Sequence, residues 1–132
     1  MTQKFITDIN KFIDKVKGKE TEFLKQFSQD LAEKIVTRTP VKTGFARASW
    51  YPAINDNINP PKLDPQKKGG YIQADFSFRN AKIGDRLFIL NNANYIKKLE
   101  FGSSQQAPQG MVRVTLNEAD AIAEDVIKRM GQ

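Results

Sequence analysis

The stretch NNANYIKKLEFGSSQQAPQGMVR, residues 91–113, decides how the C-terminal half of this chain folds. Its two leading asparagines predict the end of a strand and the cap of a short helix over residues 95–101, because asparagine side chains accept hydrogen bonds from free N–H groups at a helix start. Gly102 stands where many helices end in a left-handed residue. The inward face of this helix would be formed by Tyr95, Ile96 and Leu99.

Glu100 lies near the C-terminal end of this predicted helix, where the helix dipole disfavours a carboxylate unless a cation or donor compensates it. Arg113 is the candidate partner, since its planar guanidinium can hold a carboxylate through two hydrogen bonds. The pair could form within one subunit or between subunits; the alternative is a solvated Glu100 that contributes nothing measurable. Tyr95 and Phe101 are each either a core residue or a contact to a partner.

Upstream, apolar residues recur at helical spacing in two runs that form an N-terminal helical part, residues 1–38. Gly18 between the runs permits a bend without forcing one. The ring of Pro40 disfavours helical geometry at Thr39, and Gly44 then makes TPVKTG a rigid turn at the helix exit. The first run consists of Phe5, Ile9, Phe12 and Val16, and the second of Phe23, Phe27, Leu31 and Ile35.

Three segments in the middle of the chain have strand patterns. A first strand is predicted over residues 46–51. Residues 72–78 alternate apolar with polar side chains and residues 87–90 are continuously apolar, so these two are predicted to pair as a hairpin with a turn at Gly84. Prolines and asparagines predict a long irregular loop over residues 52–70, which is either disordered or ordered against a neighbouring subunit.

A C-terminal helix is predicted over residues 115–130, because Thr115 and Glu118 have the spacing of a capping box and an apolar stripe follows. The residues before it, MVRV, would run extended. Ala119 and Ala123 allow another helix to approach closely, most simply the N-terminal one. The 132 residues therefore predict one α+β domain, with N-terminal and C-terminal helices packed on a small, mostly antiparallel sheet.

The residue types argue against familiar catalytic chemistry. The chain has no cysteine and no histidine, which removes thiolate chemistry, the usual general base near neutral pH and the commonest metal ligand. Ser103 and Ser104 have no partner to activate them as nucleophiles, and Gly69 and Gly70 lack the context of a phosphate-binding loop. We therefore expect no enzyme activity, no catalytic residue, no cofactor and no metal.

The formal net charge of +6 is concentrated in residues 40–110. Lysines in this part are candidates for contact with DNA in a channel, since fixed positive charge lowers the energy of nearby phosphates whatever the base sequence. The alternative is a solvated face. The loop lysines have no aromatic residues between them, so a base-stacking platform is not predicted. The candidate lysines are Lys62, Lys67, Lys68, Lys97 and Lys98.

No run in the sequence approaches the roughly 20 apolar residues of a membrane helix, and its first residues do not form a basic and then apolar signal. We therefore expect synthesis in the cytoplasm and no membrane association.

Two blocks of the sequence carry a family resemblance. YxxxLEFG at residues 95–102, followed by APxGMVR at residues 107–113, resembles neck and tail-completion (head-tail joining) proteins of tailed bacteriophages. The turn TPVKTG, residues 39–44, is similar to a TPVxTG turn that follows the N-terminal helix in that group. The resemblance implies a structural virion protein that forms a ring, expected to be hexameric, between the head connector and the tail around the DNA channel.

This interpretation implies that the partners are copies of the chain itself, head-connector or adaptor proteins, tail proteins and, without sequence specificity, packaged DNA. The protein would be in the host cytoplasm during assembly and afterwards in the neck or tail of the virion. Two alternatives stay open: a tail terminator or minor tail component, and a basic module that binds nucleic acid non-specifically. The candidate residues of the subunit or partner interface are Tyr95, Glu100, Phe101 and Arg113.

Overall fold

The computed structural model describes residues 12, 14–71, 77–102 and 104–131. Its longest element is helix α1, Glu20–Arg38, which follows a short 3-10 helix, Asp14–Val16. Gly18 between them has a φ of 80°, a left-handed conformation that breaks the helical path. The permitted bend is therefore an actual break. Phe5 and Ile9 of the first predicted run lie outside the described residues, whereas Phe12 and Val16 are buried in the core.

The end of helix α1 agrees with the sequence prediction. The helix stops at its predicted last residue, and Gly44 has a φ of 92°, as the exit turn requires. Thr39 is fully buried there. Its hydroxyl donates a hydrogen bond to the carbonyl of Ile35 at 2.8 Å and accepts one from Nε1 of Trp50, also at 2.8 Å. Two buried hydrogen bonds through the Thr39 hydroxyl thus fix the turn to the core.

The predicted strand over residues 46–51 is wrong at its start. Helix α2, Phe45–Ala48, occupies this segment, and strand β1 is Trp50–Ile54. The side chain of Arg47 explains the helical turn, because its Nη2 donates to the carbonyls of Thr37 at 2.8 Å and Thr39 at 3.0 Å. These are carbonyls at the end of α1, which lack partners within their own helix.

The sheet of the described residues has two antiparallel strands, β1 and β2, the latter being Leu87–Asn91. In its register Trp50 lies opposite Asn91 and Ile54 opposite Leu87. The predicted hairpin between residues 72–78 and β2 stays a prediction, because pairing with β1 uses only one edge of β2. Most of residues 72–78 lies outside the described part, and the described end of that segment, residues 77–78, is not in a strand.

The irregular loop begins later than predicted, because residues 52–54 belong to β1. Residues 58–70 contain neither helix nor strand. The backbone turns away from the sheet at Asn55, whose N–H donates to the carbonyl of Arg86 at 2.7 Å. The prediction of a long irregular segment is thus confirmed in its main part.

Three helices follow the sheet. They are α3, Ile96–Glu100; α4, Val112–Asn117; and α5, Ala119–Arg129. Helix α3 lies within the predicted range, and Gly102 after it has a φ of 93°. Asparagine does not cap α3, however: Oδ1 of Asn91 accepts from the N–H of Ala93 at 2.8 Å, and the N-cap residue is Tyr95.

The predicted capping box is also wrong, and MVRV is not extended. Thr115 lies inside α4 and donates its hydroxyl to the carbonyl of Met111 at 2.7 Å, while Glu118 precedes α5 without a side-chain cap. Both residues are engaged by Arg38 instead. Its Nη1 donates to the Thr115 hydroxyl at 2.9 Å, and its Nη2 lies 2.5 Å from the Glu118 carboxylate. A contact to α1 has replaced a local cap.

The main core lies between α1 and α5, with Ile89 of β2 packed against it. Ala119 and Ala123 are buried there, so the predicted close approach of the two helices is confirmed. A second cluster joins Trp50 and Met111 to Leu99 of α3. The described residues thus form the predicted α+β fold, and this second cluster positions the segment discussed next.

Candidate interaction site

The side chain of Glu100 closes the start of helix α4. It is buried, with 5% of the residue exposed. Its Oε1 accepts hydrogen bonds from the N–H groups of Met111 at 3.0 Å and Val112 at 2.8 Å, and its Oε2 accepts from the N–H of Arg113 at 3.0 Å. The first N–H groups of a helix have no intrahelical acceptor, and a negative charge suits the helix dipole at this end. Helix α4 therefore begins where Glu100 caps it.

Arg113 holds the same carboxylate with its side chain. Its Nε donates to Oε2 of Glu100 at 3.1 Å, and its Nη2 donates to the backbone carbonyl of Glu100. The predicted pair is present and forms within one chain. A solvated Glu100 is contradicted, because Arg113 of the same chain compensates its charge.

Two glycines allow this close packing. At Gly110, with φ 88°, an added Cβ would lie 2.4 Å from the backbone oxygen of Glu100 and 2.5 Å from its Oε2. At Gly102, with φ 93°, an added Cβ would lie 2.5 Å from the backbone oxygen of Pro108. Contacts shorter than 3 Å exclude any side chain unless the backbone moves. Both glycines, which lie in the resembling motifs at residues 95–102 and 107–113, are therefore explained by packing within the chain.

Phe101 is presented at the surface by this network. The residue is 53% exposed, and the guanidinium carbon of Arg113 lies 4.8 Å from its ring centroid, within the range of a cation–π contact. Tyr95, at the other end of α3, is 38% exposed, with its ring centroid 6.3 Å from that of Phe45. The interpretation of Tyr95 and Phe101 as core residues is therefore wrong.

The TPVKTG turn contacts the segment that joins the motifs at residues 95–102 and 107–113. The N–H of Val41, in the TPVKTG turn, donates to Oε1 of Gln106 at 3.0 Å, and Nε2 of Gln106 donates to the carbonyl of Val41 at 3.3 Å. The side-chain amide of Gln106 thus forms two hydrogen bonds with the backbone of Val41, as the backbone of a paired strand would. Val41 is 39% exposed. Sequence reasoning missed both residues, because no local pattern marks a contact over this separation. We call three residues the α3 surface: Tyr95 and Phe101, which flank α3, and Arg113, which contacts Phe101.

The candidate lysines are all exposed, in two groups. Lys62, Lys67 and Lys68 lie in the loop, and Lys97 and Lys98 lie on α3. The loop end approaches α3 through Tyr71, whose ring centroid is 5.4 Å from that of Phe45, the same ring that neighbours Tyr95.

Within the described parts of the chain, no group of three or more acidic side chains could hold a metal ion. No helix of those parts is long and apolar enough to cross a membrane. No family model, no curated protein and no solved structure matched the sequence. The site is thus defined by its geometry: a rigid, hydrogen-bonded support that presents an aromatic ring at the surface.

Proposed function

We propose that this chain is a structural virion protein of a tailed bacteriophage, a neck or tail-completion subunit whose ring joins the head connector to the tail around the DNA channel. The observation that carries the proposal is the exposed ring of Phe101, fixed against Arg113 by the buried Glu100. The residues that resemble the phage proteins are the same residues that build this support.

The chemistry of the α3 surface suits protein contact. Aromatic rings and arginines are over-represented among residues that dominate binding energy at interfaces. Phe101 is 53% exposed, so burying its exposed part contributes roughly half of the ~1.5–3 kcal/mol that full burial of such a side chain contributes. Because Arg113 and Glu100 already hold this ring in place, little conformational entropy remains to be lost on binding. No bond needs to be made or broken in this role.

A closed ring requires two different patches on each copy. The α3 surface lies at the end of the sheet where Trp50 faces Asn91. Two other exposed apolar residues, Ile58 and Ile83, lie beyond the opposite end, where Ile54 faces Leu87. Exposed apolar residues near both ends of the sheet are compatible with the two different contacts of a head-to-tail ring, here proposed as a hexamer.

The first experiment measures the self-association of the purified chain by sedimentation velocity over a range of concentrations. Wild type should form a species larger than a monomer. Phe101→Ala should weaken association about tenfold or more while leaving the free energy of unfolding within about 0.5–1 kcal/mol, because the residue is exposed. Phe101→Leu, which keeps an apolar side chain, should fall between the two, and Lys128→Ala, an exposed change on α5, should have no effect.

Sedimentation velocity of the chain mixed with head connectors or with tails tests its proposed position between them. A chain that stays monomeric alone and with both partners contradicts the proposal, and tight DNA binding by that monomer would support the nucleic-acid module instead. Mass spectrometry of separated heads and tails distinguishes a neck subunit from a tail terminator, because the terminator would be found with isolated tails.

A further inference from the structure

Three aromatic rings bring together segments that are far apart in the sequence. Phe45 opens α2, Tyr71 ends the long loop and Tyr95 precedes α3. The ring centroid of Phe45 lies 5.4 Å from that of Tyr71 and 6.3 Å from that of Tyr95. The end of the loop is therefore fixed beside α3.

The loop end is itself a closed turn. The hydroxyl of Tyr71 lies within hydrogen-bond distance of the carbonyl oxygens of Asp64 and Lys67, the latter at 2.7 Å. Nζ of Lys67 donates to the carbonyl of Gly70 at 3.2 Å and lies 5.8 Å from the Tyr71 ring centroid. The pKa of Tyr71 is raised by desolvation, by the Asp64 carboxylate and by Tyr95, which agrees with the closeness of the loop and α3.

These contacts bring lysine-bearing segments close together. The TPVKTG turn joins them, because a Cβ added at Gly69 would lie 3.9 Å from the backbone oxygen of Thr43. Asp64 is the carboxylate that the loop brings here, whereas Glu100 of α3 is buried and bound to Arg113. We call the exposed lysines of these segments the basic surface: Lys42, Lys67, Lys68, Lys97 and Lys98.

We propose that the basic surface binds the phosphate backbone of double-stranded DNA without reading its base sequence. This deepens the proposed function, on which its place in a virion rests, by assigning the face of the subunit that meets the DNA. Lysines act on phosphates as flexible point charges, and binding releases condensed counterions. The rings of Phe45 and Tyr71 pack edge to face, with planes 61° apart, so their role is to hold the segments together.

The test measures binding of a fluorescein-labelled duplex of mixed sequence by fluorescence anisotropy, at about 50 mM and about 200 mM salt. Wild-type affinity should fall about a hundredfold over this range, as expected for about four phosphate contacts. The double variant Lys68→Gln/Lys97→Gln should reduce the slope of log affinity against log salt by about 2. These two side chains are exposed, and circular dichroism checks the fold.

The matched control is Lys34→Gln/Lys128→Gln, which changes the net charge equally on α1 and α5. Lys34 lies in a groove with Asp30, Glu118 and Asp125, away from the basic surface. The slope of log affinity against log salt for this control variant should match that of wild type. Equal slopes for both double variants, or no wild-type binding at the lower salt, overturns the inference.

Sedimentation of the same samples separates this inference from the proposed function. A chain that binds the duplex through the basic surface but never associates would support the inference and contradict the ring. A chain that forms a ring but does not bind the duplex would support the proposed function and contradict the inference.

Discussion

Gly110 lies so close to Glu100 that no side chain fits between them. A Cβ at position 110 would be 2.4 Å from the Glu100 backbone oxygen and 2.5 Å from its carboxylate. The φ of 88° at Gly110 adds a second restriction, because residues with a Cβ rarely adopt it. The cap of helix α4 thus depends on the absence of a side chain ten residues further along the chain.

Gly110→Ala should therefore lower the free energy of unfolding by about 2–4 kcal/mol. The physical reasons are the left-handed backbone and the displacement of the Glu100 carboxylate from the N–H groups of α4. Urea denaturation followed by far-ultraviolet circular dichroism measures the change.

Gly84→Ala is the matched control. Gly84 has a φ of 96°, and an added Cβ would meet nothing within 4 Å. Its cost should be the conformational strain alone, about 1 kcal/mol. Equal losses in the two variants would show that the contact with Glu100 does not matter.

Thr39→Val should remove the hydroxyl that accepts a hydrogen bond from the indole of Trp50. The substitution preserves shape but removes the buried hydroxyl that accepts from Nε1 of Trp50 at 2.8 Å. Removing one partner of a buried hydrogen bond costs about 1–3 kcal/mol, so we expect a loss of stability of up to that size. Because Trp50 is the chain's single tryptophan, its fluorescence emission reports both the change in its environment and unfolding in urea.

Thr37→Val provides the comparison for Thr39→Val, since Thr37 is exposed on α1 and its carbonyl, which binds Arg47, is unaffected. Its stability should change by less than about 0.5 kcal/mol. If Thr39→Val is equally harmless, the hydroxyl contact to Trp50 contributes nothing.

Asp85 should make stability depend on acid pH. Its pKa is lowered from the ordinary value of 3.8, first by the hydrogen bond from Asn55 and then by the N–H of Lys82. A depressed folded-state pKa means that ionised Asp85 stabilises the fold above 3.8 and that this contribution is lost as pH falls through the folded-state pKa. Asp85→Asn should thus be less stable than wild type at neutral pH, and the difference should shrink in acid.

Urea titrations from neutral to acid pH measure that difference. Asp56→Asn is the control, because the Asp56 side chain is 98% exposed and 3.6 Å from Arg86. Its difference from wild type should be small at every pH. A difference for Asp85→Asn that stays constant into acid would contradict the assignment.

Local signals predicted the parts of the fold that depend on local chemistry. Pro40 and Gly44 marked the end of α1, and Gly102 marked the end of α3. The pairing of β1 with β2 was not predicted, because alternation of side chains identifies the buried face of a strand and not the strand beside it. Helix α4 was missed for a related reason: its cap is Glu100, which lies outside any local capping pattern.

In the candidate site, too, features that depend on local chemistry were predicted and features that depend on distant segments were not. The pairing of Glu100 with Arg113 followed from charge and geometry, and the structure contains it. Helical spacing alone did not distinguish core from surface for Tyr95 and Phe101, because α3 is only five residues long and its neighbours decide which sides are covered. The contact of Val41 with Gln106 connects segments far apart in the sequence, and no periodic pattern of residues indicates it.

The segment around Glu100 is subject to two different evolutionary constraints. Glu100, Arg113 and Gly110 are required for folding, because Arg113 binds Glu100 and Gly110 leaves room for it, so substitutions at these positions should be removed by selection. Phe101 is exposed and is not required for the core. Among related proteins that bind different partners, we therefore expect position 101 to vary while positions 100, 110 and 113 stay unchanged.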